Sequence, residues 1–112
     1  MEEKVFKDTT INIFGTNWKI KFTKEIIKGK DEDSGNTYWG MTTHGKNLIE
    51  VSLVDGEGKP RRYEDICITL LHELNHALLG EGGYWRENDN EPLVEWVAKC
   101  YNMIINHTKL FK

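Results

Sequence analysis

The run His72-Glu73-Leu74-Asn75-His76 holds the densest chemistry in the chain. It lies in a segment with a helical pattern. On a helix, residues four apart share a face and lie about 6 Å apart along the axis. Two imidazoles so placed can grip one Zn²⁺. Glu73, between them, stands where it can take a proton from metal-bound water. The spacing therefore offers two metal ligands and a general base. Around them Ile66, Cys67, Leu70, Leu71, Leu74, Ala77, Leu78 and Leu79 make the helix apolar on most sides, which predicts a central, buried helix. Two histidines and a glutamate in such a helix are costly unless something satisfies them, and a metal would do so. A hydrogen-bonded pair of core histidines is the competing account.

A catalytic zinc site takes three protein ligands and keeps a position open. Glu91 and Glu95 open the next helical segment, one turn apart on one face. Glu91 is the expected third ligand. Glu95 would then orient His72 or His76 through the free ring nitrogen. The reverse assignment is the alternative, and so is a plain preference of acidic residues for a helix N-terminus.

These residues need elements to hold them. The segment 61–79 is predicted as the motif helix, with Gly80 as its stop signal. The segment 81–90 reads as a polar loop. Pro92 suits the first turn of a second helix, whose apolar stripe is Leu93, Val94, Val97, Ala98, Tyr101, Ile104 and Ile105. The first half of the chain reads as β structure. Segments 10–14 and 18–22 alternate apolar and polar residues around Gly15-Thr16-Asn17, a hairpin signal. The segment 28–36 is a polar loop, 37–42 a third strand, and 48–54 a better one, with Ile49, Val51 and Leu53 on one face. His44-Gly45-Lys46-Asn47 is the turn between those two, and 55–59 ends the β region. The expected fold class is α+β: a small antiparallel sheet, then the motif helix and a second helix.

The chain has 112 residues, which suits one domain. Its formal net charge is -3, with Lys and Arg scattered, so no electrostatic footprint for nucleic acid is seen. No apolar run is long enough for a membrane span, and the charged start Met1-Glu2-Glu3-Lys4 lacks the apolar centre of a signal peptide. A cytoplasmic protein is expected. Cys67 and Cys100 fall on apolar helical faces and read as buried thiols. Trp39, Trp85 and Trp96 are candidates for cleft or core, and His107 reads as a solvated residue.

The stretch from Ile68 to Leu79, followed by Glu91-Pro92-Leu93-Val94-Glu95, resembles the zincins. More narrowly it resembles the gluzincins, whose H-E-x-x-H helix is followed by a helix that supplies a Glu ligand. It is similar to small zincin-like proteins of phage and bacterial genomes, and more distantly to the ImmA/IrrE-type metallopeptidases. The resemblance covers roughly residues 66–105. It lacks the third-histidine pattern, since Gly80 follows His76 by four positions and Gly82 by six. In the Glu-zincin pattern an acidic residue four after the ligand Glu supports a ligand His, and Glu95 stands there in place of the commoner Asp.

The resemblance implies zinc-dependent hydrolysis of a peptide or protein substrate by a minimal zincin-like domain. Zn²⁺ would be held by His72, His76 and Glu91, and Glu73 would be the base. The developing oxyanion needs a donor, for which Tyr84 is the candidate, with Tyr38, Tyr63 and His44 as rivals. The strand 48–54 is a candidate for the sheet edge, where an extended peptide can pair with it, and the sequence leaves open whether it is the edge. The alternative function is a non-catalytic zinc-binding module of the same fold, acting as a phage or bacterial regulatory or interaction protein.

Overall fold

The computed structural model describes residues 6–28 and 37–106. Strand β1 (Thr9–Ile13) pairs antiparallel with β2 (Thr16–Thr23), Ile13 facing Thr16. The two turn residues between them, Phe14 and Gly15, both have positive φ (50° and 93°). This is the turn whose twist matches the flanking strands, and it makes Phe14 pay a steric cost that Gly15 avoids. A short pair follows, β3 (Ile27–Lys28) with β4 (Thr37–Tyr38). Then come β5 (Gly40–Thr43), a 3₁₀ turn (His44–Lys46) and β6 (Leu48–Ser52), the last pairing antiparallel with β5. Asn47 takes the left-handed conformation (φ 51°) that lets the chain reverse there. Most of the expected 28–36 loop lies outside the described residues.

The main sheet runs β1-β2-β6-β5, and β2 and β6 are parallel. The sheet is therefore mixed, not antiparallel as expected. The reason is topological. β5 and β6 form a hairpin inserted as a unit beside β2, which leaves β6 next to β2 and running the same way. The strand at residues 48–52, whose place in the sheet the sequence left open, is not an edge. It is paired on both sides, Ile49 to Ile20 and to Thr42, and Ile49 and Val51 are 0 % exposed. Burial on that scale stabilises by about 1.5–3 kcal/mol per side chain. The edge beside the helices is β5.

Helix α1 (Tyr63–Glu81) lies across this sheet. Ile66 and Ala77 are buried against Ile13, Trp18, Ile20, Ile49 and Val51, and Leu70 and Leu74 pack at the margin of the same core. The buried Trp18 donates its indole N–H to Glu81 at 3.1 Å, which ties the hairpin to the end of the helix. The opposite side of α1 is only half-buried, so the helix is less enclosed than its apolar composition suggested.

Gly80 does not stop α1. The helix runs on to Glu81 and is capped at Gly82, whose backbone N–H reaches the Leu78 carbonyl. Gly80 has a packing role instead: a Cβ there would lie 2.5 Å from Cε1 of His44. The expected 81–90 loop contains a single helical turn, α2 (Trp85–Asn88). Helix α3 (Glu91–Ile105) begins after Asn90, whose side chain accepts the Leu93 N–H at 3.2 Å. Val94 and Ala98 bury its inner face, while Leu93, Tyr101 and Ile105 of the expected stripe are largely exposed. Cys67 and Cys100 are half-buried and form no disulfide. No helix among the described residues is long and apolar enough to cross a membrane.

Candidate metal centre

β5, α1 and α3 enclose a groove of about 1150 Å³, with His72, Glu73, His76 and Glu91 on its floor. The helical spacing brings the two rings face to edge, their centroids 4.9 Å apart and their Nε2 atoms 3.2 Å apart. The Asn90 cap starts α3 so that Glu91 comes to the same point. Its Oε2 is 2.9 Å from His72 Nε2 and its Oε1 is 3.0 Å from His76 Nε2. Four ligands of a tetrahedral zinc, each about 2.0–2.1 Å from the metal, lie about 3.3 Å from one another. The triangle of donors is close to that size, and the His72-His76-Glu91 group can hold a metal ion.

The outer ring nitrogens decide what faces the centre. His72 Nδ1 is 2.9 Å from Glu95 Oε1, and His76 Nδ1 is 2.5 Å from Asn88 Oδ1. Both partners are acceptors, so each ring donates its Nδ1–H and presents an Nε2 lone pair inward. Two lone pairs and a carboxylate then converge at hydrogen-bond distance with no hydrogen between them. Such a cluster holds together only with positive charge at its middle, either a metal ion or added protons. Glu91 thus meets both rings on the inner side, and Glu95 braces His72 from the outer side.

Glu73 is 7 % exposed. Its Oε1 lies 2.7 Å from the Thr42 hydroxyl, which also reaches the Glu73 backbone carbonyl at 3.0 Å. Burial pushes the Glu73 carboxyl above the usual range. The Thr42 hydrogen bond and the two nearby histidines pull the other way, and Glu91 adds to the rise. Gly40 lets β5 come this close: a Cβ there would meet Glu73 Cγ and Thr69 Cγ2 at 2.8 Å and Glu73 Oε2 at 2.9 Å.

Asn88 was not legible in the sequence. Only 7 % exposed, it accepts from His76 and donates through Nδ2 to His44 Nε2 at 3.2 Å. His44 is wedged edge-on between Trp18 and Trp85, and burial, helped by His76, holds its pKa below the usual value despite Glu81 nearby. The four-residue run that carries Asn88 is too short for a periodic signal. Thr42 and Gly40 left no signal either.

The candidate oxyanion donors fare differently. Tyr84 is 60 % exposed and does not line the groove. Tyr63 lines a separate shallow cavity and is hydrogen-bonded to Cys67. His44 does line the groove, with its Nε2 engaged by Asn88. The Tyr38 side chain and His107 lie outside the described residues. Of the tryptophans, Trp39 stands at the groove wall, Trp85 covers His44, and Trp96 is exposed on α3. In comparisons with known proteins, no family model, no curated protein and no solved structure matches the chain. A functional reading therefore rests on the site itself.

Proposed function

We propose that this chain is a zinc-dependent peptidase of the zincin-like type. The observation that carries the reading is a buried carboxylate, Glu73, set on the helix between two histidines whose inward lone pairs meet Glu91. A site meant only to hold a metal has no need of Glu73. The two imidazoles and one carboxylate suit zinc, although other divalent ions accept the same donors. Bound zinc would supply a Lewis acid that polarises the carbonyl and lowers the pKa of water.

The remaining steps belong to the chain. Glu73 Oε1 is occupied by Thr42, so Oε2 is the oxygen that takes the proton as water adds to the peptide carbonyl carbon. The C–N bond then breaks, and Glu73 returns that proton to the departing nitrogen. Burial raises the proton affinity of the carboxyl, which favours its carrying the proton between the two steps. Glu95 and Asn88 fix the ring tautomers, and β5, the sheet edge among the described residues, is where an extended peptide can lie beside Glu73.

The test is the Glu73→Gln variant assayed on a peptide library, with bound zinc counted in parallel. The reading expects zinc to stay and hydrolysis to fall by roughly 10²–10⁴-fold. Equal hydrolysis by variant and wild type would remove Glu73 from the chemistry.

A further inference from the structure

Of the two cations that line the groove, Lys99 is paired with a carboxylate and Arg61, among the described residues, is not. Glu73 is bonded to Thr42, Glu91 to both histidines, and Glu95 to His72 with Lys99 at 3.8 Å. Asp65 is paired with Arg62 at 3.1 Å. Arg61, which also lines the groove, has no carboxylate within ion-pair distance among the described residues. Its partners are neutral. Nη1 donates to the Ser52 carbonyl at 2.7 Å, and Nη2 donates to the Asp65 carbonyl at 3.1 Å and to the Thr69 hydroxyl. Among the described residues, these bonds leave the Nε–H and one Nη1–H of a five-donor group without a partner.

The chain builds this position deliberately. The turn closed by Asp55 brings Val54 against Pro60, and the Arg61 backbone N–H bonds to the Leu53 carbonyl at 2.9 Å. The guanidinium then lies 4.9 Å from the Trp39 ring centroid, with one face covered and its edge fixed. A partly buried cation held by backbone carbonyls and an indole, with the Asp65 charge acting on it but no carboxylate at ion-pair distance among the described residues, gains from an anion. Thr69, which Arg61 touches, is one helical turn before Glu73, about 6 Å along α1. That is the reach of a side chain or chain end next to a peptide bond lying over Glu73.

We propose that Arg61 forms a carboxylate-binding subsite of the groove, so that the preferred substrates carry a carboxylate adjacent to the bond cleaved. The proposal rests on the peptidase reading and names its substrate class. The carboxylate comes from an Asp or Glu side chain or from a substrate C-terminus. The planar, delocalised guanidinium accepts either.

The experiment uses the full zinc-loaded chain and calorimetric binding of peptide hydroxamates, in which the hydroxamate engages the metal. One pair differs only in Glu against Gln beside the hydroxamate. A second pair differs only in a C-terminal acid against its amide. The expected result is a preference of ~10-fold or more for the acid member of one pair, the scale of one charge-assisted hydrogen bond. Which pair shows it identifies the source. Arg61→Gln should level that pair while leaving the neutral member's affinity in place, and Arg61→Lys should restore part of the preference. Equal binding of acid and neutral members by wild type overturns the Arg61 subsite and leaves the metal site standing. Binding of no hydroxamate at all overturns both. The wild-type comparison decides even where Arg61→Gln fails to fold.

Discussion

The groove has two ends built on opposite principles. At the metal end, His72, His76 and Glu91 turn lone pairs toward one point, and Glu95 and Asn88 hold the rings from behind. Negative character is concentrated there and calls for a cation. At the other end Arg61 is fixed by neutral carbonyls, a hydroxyl and an indole, and calls for an anion. Glu73 and Thr69 lie between them on one face of α1. The contrast gives the groove a direction. A substrate would be placed by its negative group at one end and attacked at the other.

Variants at the centre of the groove bear hardest on this contrast. Glu73→Gln is expected to have the largest effect, a fall of roughly 10²–10⁴-fold in hydrolysis at unchanged zinc content. Next is Asn88→Ala, which removes the acceptor for His76 and unlinks His44. Zinc affinity, measured by competition with a chelator, should drop about 10–100-fold. The Arg61 preference should persist in whatever zinc-loaded protein remains. If Asn88→Ala binds zinc like wild type, the hydrogen bond behind His76 contributes nothing to the metal end.

Gly40→Ala tests the point between the two ends. Its Cβ would meet Glu73 and Thr69 at 2.8 Å, so β5 or α1 must shift. A loss of about 1–3 kcal/mol in unfolding free energy is expected, together with reduced hydrolysis at near-normal zinc content. The smallest effect is expected from Asp55→Asn. Asp55 Oδ1 accepts the Glu57 and Lys59 backbone N–H groups, each at 2.9 Å, and these bonds hold its carboxyl below the usual range. A depressed carboxylate pKa stabilises the fold above the unfolded value, about 3.9, and that contribution is lost as pH falls through the lower folded value. Wild type should therefore melt slightly higher than the variant near neutral pH and lose that margin in acid. The loosened turn should affect carboxylate preference more than zinc content.

The metal end was largely legible because its information is local. Four-residue spacing on a helix places His72 beside His76, and the same spacing with a proline-marked start placed Glu91 and Glu95 at the head of α3. The supports were not legible because they come from tertiary neighbours. Asn88 sits in a single turn, and Thr42 and Gly40 sit in a strand with no alternation of burial. Gly80 was misread because a glycine near a helix end serves equally as a stop or as space for a ring, here that of His44. The sheet shows the same limit. Alternation in the segment 48–54 reports burial, but it does not report which strands lie on either side. Full burial of Ile49 and Val51 belongs to a centre strand, and the plainer β5 is the edge.

Whether His72, His76 and Glu91 hold a zinc ion is answered by counting metal in untagged protein. Native mass spectrometry of wild type should give one zinc per chain. His76→Ala and Glu91→Ala should lose it, and Glu95→Ala should keep it at lower affinity. A wild-type chain that takes up no zinc when zinc is supplied would contradict the account. So would loss of zinc from Glu95→Ala but not from Glu91→Ala, which would move the third ligand by one helical turn.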